Sequence, residues 1–131
     1  MDLQPKTVLV VDDVPLLKTL VSEYLRECGF HVLEAATGEE AISTLEAGLR
    51  VDIIFSDIEL GGPLDGYAVA RWVQDHRPGV RTVLGTGGEM GRKAVDICHE
   101  GAIIRKPYNL QYVVKRLHNA LADRPSSAPE A

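Results

Sequence analysis

The feature that most limits how this chain can fold is an alternation of two residue patterns. Short apolar, β-branched runs trade places five times with stretches whose apolar residues recur at helical spacing. The runs are Thr7 to Val11, His31 to Ala35, Val51 to Asp57, Arg81 to Leu84 and Ala102 to Ile104. After the first, Pro15 is placed for the first turn of a helix, and Leu16, Leu17, Leu20, Val21, Tyr24, Leu25 and Cys28 mark its apolar stripe until Gly29 supplies a stop. Thr37-Gly38-Glu39-Glu40 has the pattern of a capping box, with Thr37 as N-cap, and opens a helix that ends near Gly48. The spacing predicts further helices over 67–76, ended by Pro78-Gly79, over 92–99, stopped by Gly101, and from Leu110 to Leu121 with Asn109 as N-cap. The predicted domain covers residues 1–123, and Arg124 to Ala131, rich in Pro, Ser and Ala, reads as a disordered tail.

Strand and helix in strict alternation imply a parallel sheet with helices on both faces, because each parallel crossover lays a helix over the sheet. Right-handed crossovers then bring every strand's carboxyl end to one edge. For five strands the expected order is the flavodoxin-like 2-1-3-4-5, whose switch point lies between strands one and three. Those two strands end on Asp12-Asp13 and on Asp57. Strand four leads into Gly85-Thr86-Gly87-Gly88, read as a flexible turn with one hydroxyl, and strand five into Arg105-Lys106-Pro107.

This edge collects acids, a hydroxyl and an amine. Clustered carboxylates repel one another and need a compensating charge. Mg²⁺ suits them, since it takes one or two carboxylates, a carbonyl, waters and phosphate oxygens. Phosphoryl transfer needs such a metal together with a cation and hydrogen-bond donors around the phosphoryl oxygens. Asp57 could then attack phosphorus and carry the group as an acyl phosphate. A lone Asp at a strand end would more simply be a turn cap; the ordered set shifts the balance.

The set Asp12-Asp13, Asp57, Thr86-Gly87 and Lys106-Pro107 at the ends of strands one, three, four and five resembles the receiver domain of bacterial response regulators, over about residues 6–122. The resemblance implies that Asp57 is both the phosphoacceptor and a metal ligand, that Asp13 binds Mg²⁺ directly and Asp12 through water, and that the main-chain carbonyl of Glu59 completes the metal site. It implies that Thr86 and Lys106 bind phosphoryl oxygens, and that Lys106-Pro107 is a cis peptide. The implied protein is a signalling switch rather than a turnover enzyme. Its partners would be a histidine kinase or histidine phosphotransfer protein and an unknown downstream protein, with a homodimer through the fourth helix, fifth strand and last helix as the candidate self-association. It resembles receivers that stand alone or end hybrid kinases, with output by protein contact.

The chain departs from that pattern at three places. Ile103 stands where receivers usually carry a switch aromatic, the loop from Ile58 to Gly66 is about one residue longer than usual, and Glu59 occupies a position that influences phosphoryl lifetime in the family. The alternative is a receiver-like module that signals without phosphorylation. A haloacid-dehalogenase-like phosphatase needs a second acid two residues after its nucleophile, which Asp57-Ile58-Glu59 imitates only loosely.

Composition narrows the rest. A net charge of -5 argues against direct nucleic-acid binding. Cys28 and Cys98 have neither disulfide-framework nor zinc-ligand spacing, and no apolar run reaches spanning length, so the expectation is a cytoplasmic protein with no membrane partner. His31, His76, His99 and His118 share no ligand spacing, and Trp72 and Tyr24 read as core or core edge.

Overall fold

The structure, a computed structural model, describes residues 4–87 and 103–122. Its strands are β1 (Thr7–Val11), β2 (His31–Ala35), β3 (Ile53–Asp57), β4 (Arg81–Thr86) and β5 (Ile103–Arg105), and its described helices are α1 (Pro15–Glu27), α2 (Gly38–Glu46), α3 (Gly66–His76) and α4 (Leu110–Ala122). All strand pairs are parallel and the order is β2-β1-β3-β4-β5. The expected fold class is therefore borne out. The helix predicted over 92–99, the stop at Gly101, Ala102 and the tail from Arg124 lie outside the described residues.

Alternation along the strands divides the core between two faces. Val8, Val10, Ile53, Phe55, Val83 and Ile104 pack with Val21 and Leu25 of α1 and with Val113 and Leu117 of α4. Leu9, Val11 and Ile54 point the other way, onto Ala41 and Leu45 of α2 and Val69 and Val73 of α3. Every residue of β1 and β3 is buried, which explains why their runs lack a polar-apolar alternation. β2, at one edge, keeps His31 exposed. Arg81 ties the start of β4 to the last helix, its Nε donating to the Ala120 carbonyl at 2.9 Å.

The helix boundaries show how the sequence signals work. Gly29 follows α1 with φ +99°, a conformation that a side chain disfavours, and its N–H donates to the Arg26 carbonyl. Thr37 caps α2 by accepting from the Glu40 N–H at 3.0 Å; Glu40 reaches back as expected but to the N–H of Ala36, at 2.8 Å, one residue before the cap. Asn109 caps α4 by accepting from the Tyr112 N–H at 3.0 Å. α3 begins one residue earlier than its spacing indicates, because Asp65 caps it through the Ala68 N–H at 2.9 Å.

Two boundaries correct the sequence reading. β4 continues through Gly85 and Thr86, which were expected in a flexible turn: Gly85 pairs with Asp57 on one side and Ile104 on the other, and this two-sided pairing outweighs glycine's turn preference. β3 starts at Ile53 rather than Val51, because the Asp52 carboxylate is spent on the Thr7 N–H at 2.8 Å and lies 3.5 Å from Arg50 Nε. The stripe of α1 is also wider than the core it faces. Val21 and Leu25 are buried and Leu17 partly so, but Leu16 is 80% exposed and Leu20 55%.

Candidate functional site

The switch point between β1 and β3 gathers the acids. Asp12 follows β1 and is 4% exposed; Asp57 closes β3 and is also 4% exposed, whereas Asp13 faces solvent. One carboxylate oxygen from each lies within 4.8 Å of the others. Local hydrogen bonds fix each side chain. Asp12 Oδ1 accepts from the Val14 N–H at 2.9 Å, and Asp13 Oδ2 from the Gly61 N–H at 2.9 Å, which fastens the β3–α3 loop to the end of β1. Asp57 Oδ1 accepts from the Glu59 N–H at 3.2 Å, and Oδ2 from Lys106 Nζ at 3.0 Å.

Gly66 sets the depth of this pocket. A Cβ there would lie 2.5 Å from the Asp57 carbonyl oxygen and 2.7 Å from Ile58 Cα, so only glycine lets the start of α3 close against the strand end. Its N–H donates to the Ile58 carbonyl at 2.9 Å. On the other side, Lys106 comes from the end of β5, where its N–H donates to the Thr86 carbonyl at 2.8 Å and the Lys106-Pro107 peptide is cis, as expected.

Electrostatics follow from burial. Burial pushes the Asp57 carboxyl above the usual carboxylate range; the hydrogen bond and charge of Lys106 pull it down, and the pull is the smaller effect. Asp12 is pushed up for the same reason, against its bond from Val14 and the charge of Lys106. Burial works against the Lys106 charge as well, but the bond to Asp57 and the negative charges of Asp57, Asp12 and Glu59 outweigh it, and the ammonium is held above the ordinary lysine range. One amine beside three acids leaves a net negative pocket.

These donors fit a hard divalent cation. The group is all oxygen, it carries surplus negative charge, and two of its carboxylates are buried at the expense of their ionised form, so a bound Mg²⁺ would relieve both the repulsion and the burial.

All six residues singled out in the sequence lie at this edge, and Glu59 brings a side-chain contact beyond the main-chain carbonyl expected of it. Its exposed side chain crosses to β4, where Oε2 accepts from Thr86 Oγ1 at 2.8 Å and Oε1 from the Gly87 N–H at 3.3 Å. Tyr108 was not singled out at all. Its ring packs on Phe55 with centroids 5.2 Å apart and lies 5.8 Å from Lys106 Nζ, and its hydroxyl fills the space that a Cβ at Gly85 would take. Burial, and then the charges of Asp57, Asp12 and Glu59, push its phenol well above the usual range. The signal was an aromatic two residues beyond the lysine. Beside these residues an apolar groove of about 470 Å³ is lined by Leu17, Leu20, Gly87, Lys106, Pro107, Tyr108 and Leu110.

The described histidines lie elsewhere: His76 stacks on Trp72 at 4.5 Å and His118 leans on Phe30 at 5.1 Å, while His31 starts β2. Trp72 packs at the edge of the core, as expected. Cys28 is a free, exposed thiol. Among the described residues, no helix is long and apolar enough to cross a membrane.

An acidic, lysine-closed pocket at the switch point of a 2-1-3-4-5 parallel sheet defines a flavodoxin-like protein of the receiver type. The chain belongs to the response regulator receiver domain family, whose model matches residues 8–118. The probable transcriptional regulatory protein TcrX of Mycobacterium tuberculosis is 32% identical over 122 residues, 92% of this chain and 51% of that protein. The autoinducer 1 sensor kinase/phosphatase LuxN of Vibrio harveyi is 30% identical over 131 residues, 98% of this chain and 15% of that protein. The chain thus spans about half the length of the first of these relatives and a small part of the second. Among solved structures, a response regulator receiver protein from Sinorhizobium medicae superposes with a TM-score of 0.83 at 27% identity, covering 92% of this chain and 97% of that one. The response regulator TrrA of Thermotoga maritima, in complex with Mg²⁺-BeF, gives 0.78 at 26% identity, covering 88% and 98%.

Proposed function

We propose that this chain is a phosphoacceptor switch of a two-component system or phosphorelay, loaded on Asp57 by a histidine kinase or histidine phosphotransfer protein. The observation that carries the reading is the Asp57 carboxylate, buried at the switch point, 3.0 Å from Lys106 Nζ and within 4.8 Å of the Asp12 and Asp13 ligand oxygens. An Asp57 oxygen attacks phosphorus as the bond from phosphorus to the donor's imidazole nitrogen breaks, and the nitrogen keeps the electron pair. Asp12, Asp13 and the main-chain carbonyl of Glu59 would hold Mg²⁺, which when bound neutralises charge on the phosphoryl oxygens. Lys106 pairs with one of those oxygens and Thr86 donates to another.

The loaded state shifts a conformational equilibrium that a partner reads by protein contact, without turnover of substrate. The groove beside Lys106 and the exposed Val14, Leu16 and Leu20 offer a donor protein apolar surface next to the reacting carboxylate. A cytoplasmic location and the homodimer face around β5 and α4 belong to the same reading. Signalling without phosphorylation draws support from Ile103, but it leaves two buried carboxylates and a lysine with no task.

Intact-protein mass after incubation with acetyl phosphate tests the proposal. A phosphoryl adduct that needs Mg²⁺ and disappears in Asp57→Asn is expected. Labelling that survives in Asp57→Asn refutes the assignment of Asp57, and a folded, metal-binding wild type that takes no label from either acetyl phosphate or a phosphohistidine donor refutes the function.

A further inference from the structure

Glu59 is an exposed residue whose carboxylate is nevertheless held by two donors at the end of β4: the Thr86 hydroxyl at 2.8 Å and the Gly87 N–H at 3.3 Å. Its own N–H is meanwhile bonded to Asp57 Oδ1. One residue thus spans from the candidate phosphoacceptor to the adjacent strand end, in a sheet where Asp57 pairs directly with Gly85. A phosphoryl group on Asp57 presents anionic oxygens to that same strand end. Hydroxyl and amide cannot give one hydrogen each to two anions at once.

We propose that Glu59 is a resident stand-in anion: in the unphosphorylated chain its carboxylate occupies the Thr86 hydroxyl and the Gly87 N–H that the phosphoryl group must claim, so loading Asp57 requires Glu59 to be displaced. The inference rests on the phosphoacceptor reading of Asp57. Glu59 acts as a positioning residue in two separable ways. Its charge repels an incoming anion, an effect that salt screens, and its oxygens occupy the donors, an effect that salt barely touches.

Glu59→Gln removes the charge but keeps one acceptor oxygen at the same reach, with its NH₂ turned against one of the two donors. Glu59→Ala removes charge and acceptors together. The dissociation constant for beryllofluoride in the presence of Mg²⁺, measured by calorimetry at low and high salt, should therefore fall in the order wild type, Gln, Ala. Ala is expected about tenfold tighter than wild type, the usual worth of a charge-assisted hydrogen bond. In metal-free protein, the Gly87 amide proton should move upfield in Glu59→Ala, and in wild type beryllofluoride should displace the side chain, read at the Glu59 carboxylate carbon.

Analogue affinity in Glu59→Ala that is unchanged or weaker, with binding otherwise intact, overturns the inference alone. So does a gain that is equal in Gln and Ala and vanishes in high salt, or a Gly87 amide indifferent to Glu59→Ala. Beryllofluoride binding that does not depend on Asp57 in any variant overturns the phosphoacceptor reading and this inference with it.

Discussion

Replacing Asp12 by Asn should make the metal-free protein more stable at neutral pH while weakening its response to Mg²⁺. The amide oxygen can still accept from the Val14 N–H, so the local turn after β1 survives and the change is chiefly one of charge. Ligand oxygens of Asp12 and Asp57 lie within 4.8 Å, and at an effective dielectric of about 20 two like charges so placed repel by roughly 3.5 kcal/mol. Asp13 faces water, and its share of the repulsion is nearer about 1 kcal/mol. The burial that most disfavours the Asp12 charge is relieved as well, while the charge-assisted part of the Val14 bond and the attractions of Lys106 and Lys18 are lost, and the net gain is about 1–2 kcal/mol. The pH dependence has a definite sign. Burial raises the Asp12 carboxyl in the folded chain above its unfolded value, so the folded state binds the proton more tightly and wild type loses stability as pH rises from the ordinary carboxylate range through the raised value. The advantage of Asp12→Asn is therefore absent in strong acid and complete near neutrality. Urea melts in EDTA at both pH values, repeated with Mg²⁺, measure it. Wild type should gain stability from Mg²⁺ and the variant should gain less. An Asn variant no more stable than wild type at neutral pH without metal, or an advantage that persists unchanged in acid, refutes the reasoning.

Lys106→Ala should leave Mg²⁺ binding intact or slightly tighter, because it removes a cation from an acidic pocket, yet uncouple phosphorylation from conformational change; a normal amide-spectrum response to beryllofluoride would contradict this. Gly66→Ala drives a methyl group into the backbone of Asp57 and Ile58 and should destabilise the fold by about 1–3 kcal/mol and slow labelling by acetyl phosphate, measured by urea melts and mass. Asp65→Ala removes the cap of α3 and should cost about 1 kcal/mol in the same melts, with labelling still dependent on Mg²⁺.

The sheet order was legible as the common arrangement of five alternating strands, and the meeting of Asp12, Asp13, Asp57, Thr86 and Lys106 was legible because a parallel sheet brings strand ends to one edge. What stayed hidden depends on neighbours distant in sequence. Thr86 reads as part of a glycine turn until β3 and β5 are seen on either side of it. Leu16 and Leu20 carry the helical spacing of core residues, and spacing alone does not reveal that Val21 and Leu25 are buried while these two face solvent. Glu59 and Thr86 are 27 positions apart, and no local pattern announces that the two side chains meet. Asp65 differs from these, because an Asp directly before an apolar helix is an ordinary local cap signal.

The contact between Gly85 and Tyr108 also restricts how this chain can change over generations. Any side chain at Gly85 meets the tyrosine hydroxyl first and the ring behind it, so a larger residue on β4 is admissible only after position 108 has become smaller or has swung away. The reverse order is open, because shortening Tyr108 first leaves a void beside Phe55 that a folded domain can survive. Descendants that vary at position 85 should therefore carry an earlier change at position 108, and the two sites should be inherited as a pair beside Lys106.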